Sequence, residues 1–121
     1  MMQSYTLPLR ILEGMLRRGH PSYLVFFVTS RCNCRCSMCF NRENVQGNQQ
    51  PQELSLPEIV KIARSLKPLP QLLLSGGEPF LRSDIASLVT AFYRYSATRQ
   101  VSIPTNGTLP ERILHAVHDI L

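Results

Sequence analysis

Three apolar runs of strand length are spaced along this chain, and amphipathic segments separate them. Residues 23–29 form the first run, which is rich in Val and Phe and does not alternate with polar residues. Such a run predicts a strand that is buried on both faces, as in a parallel sheet. Residues 71–75 and 101–104 predict two further strands, and a turn containing glycine follows each of them.

The segments that follow these runs have the spacing and the start signals of helices. Ser55, Pro57 and Glu58 predict a capping box, with proline in the first turn of a helix that stops before Pro68. Ser83 is predicted to cap a second helix, and residues 108–111 repeat the earlier start pattern ahead of a third. The residues that set the apolar faces are Leu56, Ile59, Ile62, Ala63, Leu66, Ile85, Leu88, Val89, Phe92, Ile113, Leu114, Val117 and Ile120.

Residues 1–22 form an N-terminal extension, in which the spacing of apolar residues permits a short helix ending near Gly19 and Pro21. From residue 23 the order strand–helix occurs three times, which predicts an α/β fold, βαβαβα, with parallel strands. In such sheets, chemistry collects at the carboxyl ends of the strands. Three segments lie there: the long polar loop 30–52, residues 76–79 and residues 105–107.

The composition fits one packed domain, since 44% of the 121 residues are hydrophobic and 17% are charged. The net charge of +5 comes from scattered basic residues, so no nucleic-acid partner is expected. No apolar run is long enough to cross a bilayer and no secretory leader is visible, which predicts a cytoplasmic location and no membrane partner. Thiols stay reduced there, so the cysteines are expected to be metal ligands or redox groups rather than disulfides.

All four cysteines lie in the eight positions from Cys32 to Cys39. Cys32, Cys36 and Cys39 have the spacing C-x3-C-x2-C, which lets one loop supply soft thiolates to adjacent corners of an iron–sulfur cube. Three such ligands leave one iron open to a substrate or cofactor. A zinc site is the alternative, although structural zinc usually joins two separated cysteine pairs. Cys34 is predicted to be a non-ligand, and a role as fourth cluster ligand is the alternative.

Glycines follow the second predicted strand directly. Gly76 and Gly77 permit a sharp turn and a close approach of the backbone to a ligand. Glu78 offers a carboxylate or a carbonyl to a cationic group, and Pro79 stiffens the exit from the turn. An ordinary strand-to-helix turn is the alternative for this segment. After the third strand, Asn106 precedes Gly107 in a routine turn signal, and its side chain is a further candidate for the site.

The motif C-x3-C-x2-C after a first buried strand, followed by Gly-Gly-Glu-Pro after a second, resembles the signature of radical S-adenosylmethionine (SAM) enzymes. The resemblance extends from about residue 24 to residue 121. It implies that Cys32, Cys36 and Cys39 ligate a [4Fe–4S] cluster, whose open iron chelates the amino and carboxylate groups of SAM. The other cofactor-binding residues that it implies are Met38 and Phe40 near the adenine, Gly76, Gly77, Glu78 and the adjoining Pro79 at the methionine end, and Asn106 at the rim of the pocket.

The same resemblance implies a reaction. A reduced cluster gives one electron to SAM, whose C–S bond breaks to yield methionine and a 5′-deoxyadenosyl radical, and this radical abstracts a hydrogen from the substrate. An external one-electron donor and a substrate, either a peptide or a small molecule, are therefore implied as partners. Residues 76–85 look most like the SPASM-type branch, which matures peptides and peptide-derived cofactors.

The family fold is a partial (β/α)6 TIM-like barrel, and the three units predicted here resemble its first half. We therefore expect residues 23–121 to be a truncated radical SAM core domain that is incomplete for catalysis by itself. A short protein completed by another chain is the alternative, since an open half-barrel leaves a strand edge unpaired. Two alternative hypotheses are not enzymatic: a module that binds zinc or a cluster without catalysis, and an inactive remnant of the domain.

Overall fold

Three parallel strands form one sheet in the order β1–β2–β3 in this computed structural model, which describes residues 20–47, 52–66 and 68–121. The strands are β1 (Tyr23–Thr29), β2 (Gln71–Gly76) and β3 (Gln100–Ser102). The helices are α1 (Arg42–Gln46), α2 (Leu56–Ser65), α3 (Ile85–Ser96) and α4 (Pro110–Ile120), and a 3-10 turn spans Pro79–Leu81. The helix predicted in the N-terminal extension lies outside the described residues.

The predicted α/β class and the parallel strands are confirmed. Leu24 pairs with Leu72, and Leu72 pairs in turn with Val101, so the three strands run side by side in one direction. Their carboxyl ends therefore meet at one edge of the sheet. Two bounds differ from the prediction, because β2 continues through Gly76 and β3 covers residues 100–102 rather than 101–104.

The core lies between one face of the sheet and helices α2, α3 and α4. Leu72 and Leu74 of β2 are buried there with residues of the helices, and the ring of Phe92 meets that of Phe26 edge-on at 6.2 Å between centroids. The core residues on the helices are Ile59, Ala63, Ile85, Leu88, Val89, Phe92 and Ala116. This agrees with the apolar periodicity of the sequence, since the predicted inward positions of α2 and α3 face the sheet.

Among the described residues the other face of the sheet is open, and the prediction that β1 is buried on both faces is wrong. Tyr23, Val25 and Phe27 are 48%, 44% and 47% exposed, whereas Val28 on the helix side is 2% exposed. The three long helices contact the face that carries Leu24, and in the described residues no second layer covers the opposite face. β1 therefore carries apolar side chains on both of its faces, but only the face toward the helices is packed.

The helix starts follow the predictions in one case and depart from them in two. The carboxylate of Glu58 accepts hydrogen bonds from the backbone N–H of Ser55 at 2.8 Å and from its hydroxyl at 2.6 Å, which confirms the capping box. Ser83 does not cap α3, because the N-cap is Asp84. The N-cap of α4 is Leu109 rather than Thr108, whose hydroxyl donates to the Asn106 side chain at 2.7 Å.

The segment predicted as an uninterrupted loop, residues 30–52, contains the five-residue helix α1. Val45 is 9% exposed and is the one buried residue of this helix, so its side chain packs α1 against the domain. One buried residue in a polar segment produces no apolar periodicity, so this helix could not be predicted from the sequence. Within the described residues, none of the helices is long and apolar enough to span a membrane.

Candidate functional site

The three segments singled out in the sequence meet at the carboxyl edge of the sheet. The N–H of Gly77 donates to the Thr29 carbonyl at 2.9 Å, and the N–H of Glu78 donates to the Arg31 carbonyl at 2.8 Å. These bonds continue the β1–β2 pairing into the start of the cysteine loop, which we define as residues 30–41. The N–H of Asn106, beyond β3, donates to the Glu78 carboxylate at 2.8 Å. The cysteine loop, the Gly-Gly-Glu-Pro segment and the Thr-Asn-Gly segment are thus bonded to one another.

Gly76 and Gly77 are needed because the cysteine loop passes directly over them. Gly76 has φ +140°, a region that L side chains rarely adopt, and a Cβ there would overlap the Thr29 carbonyl. A Cβ on Gly77 would overlap the Arg31 carbonyl oxygen and would lie 3.0 Å from the Cβ of Cys32. The paired glycines therefore let the first cysteine of the loop sit against the end of β2.

Glu78 is buried, with 1% of its surface exposed, and both of its carboxylate oxygens accept hydrogen bonds. Its Oε1 accepts from the Phe80 N–H at 3.1 Å and from the Thr105 hydroxyl at 3.0 Å, and its Oε2 accepts from the Asn106 N–H. Pro79 is also buried and starts the 3-10 turn. The Glu78 side chain therefore joins the exits of β2 and β3 from inside the protein.

The four cysteines are free thiols, and they differ in exposure. Cys36 is exposed, whereas Cys32, Cys34 and Cys39 are partly buried. The N–H of Cys39 donates to the Cys36 carbonyl at 3.3 Å, which closes a turn between two of the predicted ligands. In the part of the chain that the structure describes, no three His, Cys, Asp or Glu side chains lie close enough to hold one metal ion. A site for one metal ion needs all of its ligands around that ion, whereas in an iron–sulfur cube each thiolate binds a different iron.

The side chain of Asn106 contacts the cysteine loop. Its Nδ2 donates to Asn33 Oδ1 at 2.9 Å and to Cys34 Sγ at 3.3 Å. The backbone N–H of Cys34 in turn donates to the sulfur of Cys32 at 3.4 Å. Partial burial, and after it the neighbouring Cys32, Cys36 and Glu78, raise the pKa of the Cys34 thiol above its ordinary value. Cys34 is therefore directed toward the exit of β3.

A family comparison decides the class of this site. The family model described as the radical SAM superfamily matches residues 26–120 of the chain. The chain belongs to the radical SAM superfamily. Radical SAM proteins use a [4Fe–4S] cluster and S-adenosylmethionine, so the cofactors that the sequence predicts are those of its family.

The radical SAM match is supported by curated relatives. The chain is 36% identical over 98 residues to the GTP 3′,8-cyclase of Stenotrophomonas maltophilia (strain K279a), covering 79% of this chain and 30% of that protein. It is 31% identical over 110 residues to molybdenum cofactor biosynthesis protein 1 of Dictyostelium discoideum, covering 89% of this chain and 17% of that protein. The human protein of the same name is 33% identical over 105 residues, with 85% and 16% covered. The chain thus spans less than a third of the length of these relatives.

The two apolar residues that the resemblance to radical SAM enzymes places near adenine both lie on the surface of the loop. Met38 is 91% exposed and Phe40 is 85% exposed. The Phe40 ring meets the exposed Phe27 ring edge-on, with 6.1 Å between centroids. Phe40 also lines a groove of about 340 Å³ beside β1, together with Asn41, Asn44 and Leu54. Met38 and Phe40 are therefore both accessible from solvent.

Arg82 lies beneath the segment that carries the cysteine loop, and its role there was not predicted from the sequence. It is 5% exposed, and its guanidinium donates to both carboxylate oxygens of Asp84 at 2.8 Å. It also donates to the carbonyls of Val28 and Leu54, each at 3.0 Å. Val28 lies before residues 30–52 and Leu54 lies after them, so Arg82 holds both ends of the longer segment that contains the cysteine loop. The spacing Arg-x-Asp, which follows Gly-Gly-Glu-Pro after two intervening residues, was the available signal.

A second ion pair, between Arg31 and Glu53, joins the two ends of the segment that contains the cysteine loop, and its arginine is more exposed than Arg82. The Nε of Arg31 lies 2.8 Å from Glu53 Oε1, and the Thr29 hydroxyl donates to the same oxygen at 2.5 Å. Burial alone would raise the pKa of the Glu53 carboxyl, but the hydrogen bonds from Thr29 and Arg31 hold this pKa below its ordinary value. Two arginine–carboxylate pairs therefore hold the cysteine loop, one buried and one half exposed.

The Arg82–Asp84 pair predicts a pH dependence of stability. The hydrogen bonds from Arg82 hold the pKa of the Asp84 carboxyl below its ordinary value in the folded chain. The stabilisation is therefore present above the unfolded pKa of about 3.9 and is lost as pH falls through the lower folded pKa. Asp84→Asn should be less stable than the parent at pH 7 in urea titrations, and the difference should shrink as pH falls below about 4. A difference that stays constant down to the acid limit would contradict this assignment.

Proposed function

We propose that this chain carries the cluster- and SAM-binding part of a radical SAM enzyme, with Cys32, Cys36 and Cys39 as the three ligands of a [4Fe–4S] cluster. The observation that carries the proposal is that the cysteine loop is hydrogen-bonded to both other motif segments at the carboxyl edge of the sheet. This edge is where parallel α/β folds bind their ligands. Residues 23–121 would then form part of the core domain.

The cysteine loop suits the cluster because its thiols are free and its ends are fixed. Gly77 and Glu78 hold the start of the loop through backbone bonds, and Arg82 holds both ends of the longer segment that contains it. The exposed Cys36 and the partly buried Cys32 and Cys39 supply soft ligands from one short segment. When bound, the reduced cluster supplies the electron that cleaves SAM to methionine and a 5′-deoxyadenosyl radical, which abstracts a hydrogen from the substrate.

The residues around the loop would divide the binding of SAM among them. Because the Glu78 carboxylate is occupied on both oxygens, we assign recognition of the SAM ammonium group to the backbone of Gly76 and Gly77. Met38 and Phe40 offer exposed apolar surface for the adenine. An external electron donor and a substrate, peptide or small molecule, complete the proposal, and the peptide-maturing branch remains a prediction.

Replacing the three proposed ligands together tests this function. After anaerobic reconstitution, the parent chain should hold about four irons and four sulfides and absorb broadly at roughly 400 nm. Cys32→Ala, Cys36→Ala and Cys39→Ala combined should remove the iron, the sulfide and the colour, because no thiolates remain at three corners of the cube. The measurement is iron and sulfide per chain after gel filtration.

Cys34→Ala is the matched control, since it removes one thiol from the same loop, and it should keep the cluster. If the triple variant retained its iron, the proposed ligand set would be rejected. One zinc per chain and no colour in the parent would instead support a structural metal-binding module.

A further inference from the structure

Three side chains at the site close a ring of hydrogen bonds. Asn33 Nδ2 donates to the Thr108 hydroxyl at 2.7 Å, this hydroxyl donates to Asn106 Oδ1 at 2.7 Å, and Asn106 Nδ2 donates back to Asn33 Oδ1 at 2.9 Å. Each member donates once and accepts once around the ring, so the three bonds reinforce one another. We call Asn33, Asn106 and Thr108 the amide ring. It connects the cysteine loop to the segment after β3.

The amide ring fixes which way the Asn106 carboxamide faces. Its Oδ1 accepts from the Thr108 N–H at 3.0 Å as well as from the Thr108 hydroxyl. A flipped amide would set Nδ2 against the Thr108 N–H, placing two donors together. The backbone N–H of Asn106 donates to the buried Glu78 carboxylate, so the backbone of this residue is held in place as well. Both Nδ2 hydrogens must therefore face the cysteine loop.

One Nδ2 hydrogen goes to Asn33, and the other goes to Cys34 Sγ at 3.3 Å. Cys34 lies two residues from Cys32 and two from Cys36, so its thiol is a nearby competitor for the open iron. A sulfur lone pair engaged by a fixed N–H donor is directed away from a metal, as hydrogen bonds around metal sites orient ligands. This chain therefore has both a fourth thiol beside the cluster loop and a donor aimed at it.

We propose that the Asn106 carboxamide holds Cys34 out of the coordination of the cluster and so preserves its three-cysteine ligation. The inference rests on the proposed function, because it needs the cluster on Cys32, Cys36 and Cys39. Asn106 is in this respect a positioning residue that acts through Cys34. Without the donor, Cys34 binds the open iron as a fourth thiolate and closes the position that SAM needs.

The test compares the reconstituted parent, Asn106→Ala, Cys34→Ala and the double variant Asn106→Ala/Cys34→Ala. The first readout is mild oxidation followed by electron paramagnetic resonance, since an iron without a protein ligand is released and leaves a three-iron cluster. The second is anaerobic labelling with iodoacetamide, with the modified cysteine identified by peptide mass spectrometry. A metal-bound sulfur is not available for alkylation, so labelling reports whether Cys34 is a ligand.

In the parent, the open iron should be released and Cys34 should be labelled. In Asn106→Ala, release of the iron and labelling of Cys34 should both be lost. The double variant should release its iron again, because the competing thiol is gone, and Cys34→Ala alone should release its iron as the parent does. A merely structural role of Asn106 would not be rescued by removing Cys34.

Asn106→Asp is the second variant, since its carboxylate keeps the bonds from Thr108 but donates none to Cys34, and it should behave like Asn106→Ala. If both Asn106 variants matched the parent in labelling and iron release, the inference would be overturned. The same follows if the double variant kept the defect of the single one. A parent that takes up no cluster would reject the proposed function itself, and this inference with it.

Discussion

Gly77→Ala should abolish most cluster binding while the sheet and helices still fold. The added Cβ would overlap the Arg31 carbonyl and press on the Cβ of Cys32, so the start of the cysteine loop must move away from β2. Sites of this kind tolerate displacements of only about 0.5 Å. We expect the affinity for the cluster to fall about 10–100-fold, as for changes in the shell around other metal ligands.

The measurement for Gly77→Ala is iron per chain after reconstitution and gel filtration, with circular dichroism and a melting curve on the same sample. Because the overlap lies at the sheet edge and outside the core, the loss of folding free energy should stay at about 1–3 kcal/mol. Gly107→Ala is the matched control. It has φ +73° but open space around its Cβ position, so it should cost about 1 kcal/mol and keep the cluster. Equal iron in the two variants would argue against a steric role for Gly77.

Whether a helix start could be predicted from the sequence depends on how far apart in the chain the bonded residues are. The α2 capping box was predictable because Ser55 and Glu58 are three residues apart and bond each other. The cap of α3 was not, because Arg82 engages Asp84 while also reaching carbonyls 28 and 54 residues away. Interactions between residues a few positions apart can be recognised in the sequence. The choice of Asp84 over Ser83 as the N-cap of α3 depends on contacts between distant parts of the chain.

The candidate site shows the same division. The three segments at the strand ends could be predicted, since parallel strands bring their carboxyl ends to one edge. The amide ring could not, because Asn33 and Asn106 are 73 residues apart and each is an ordinary turn residue by itself. Burial of both faces of β1 was predicted wrongly because Tyr23 and Phe27 are apolar yet half exposed. Apolar character specifies what a face prefers to contact and leaves open whether anything covers it.

Arg82→Met should have the largest effect on stability of any single change considered for this chain. Methionine fills similar volume but leaves the Val28 and Leu54 carbonyls and the Asp84 carboxylate without their donor. In the described residues every buried side-chain nitrogen and oxygen has a partner, so the parent carries no comparable defect. Removing one partner of a fully buried ion pair costs about 3–5 kcal/mol. Asp84 is 34% exposed and keeps part of its hydration, so we expect a loss of about 2–4 kcal/mol here. The melting temperature should fall by roughly 10–20 °C.

Arg31→Met supplies the matched comparison for Arg82→Met, because the same substitution then breaks the other arginine–carboxylate pair of the segment. The Arg31 side chain is 48% exposed and that of Arg82 is 5% exposed. When Arg31 is replaced, Glu53 keeps the hydrogen bond from the Thr29 hydroxyl, whereas the loss of Arg82 also leaves the carbonyl of the buried Val28 without this donor. The Arg31 variant should therefore lose no more than about 1 kcal/mol in denaturant titrations. Equal losses in the two variants would mean that burial does not set the value of the Arg82 pair. A large loss confined to Arg82→Met would show that both ends of the segment containing the cysteine loop are held from inside the domain, by one guanidinium that donates to the carbonyls of Val28 and Leu54.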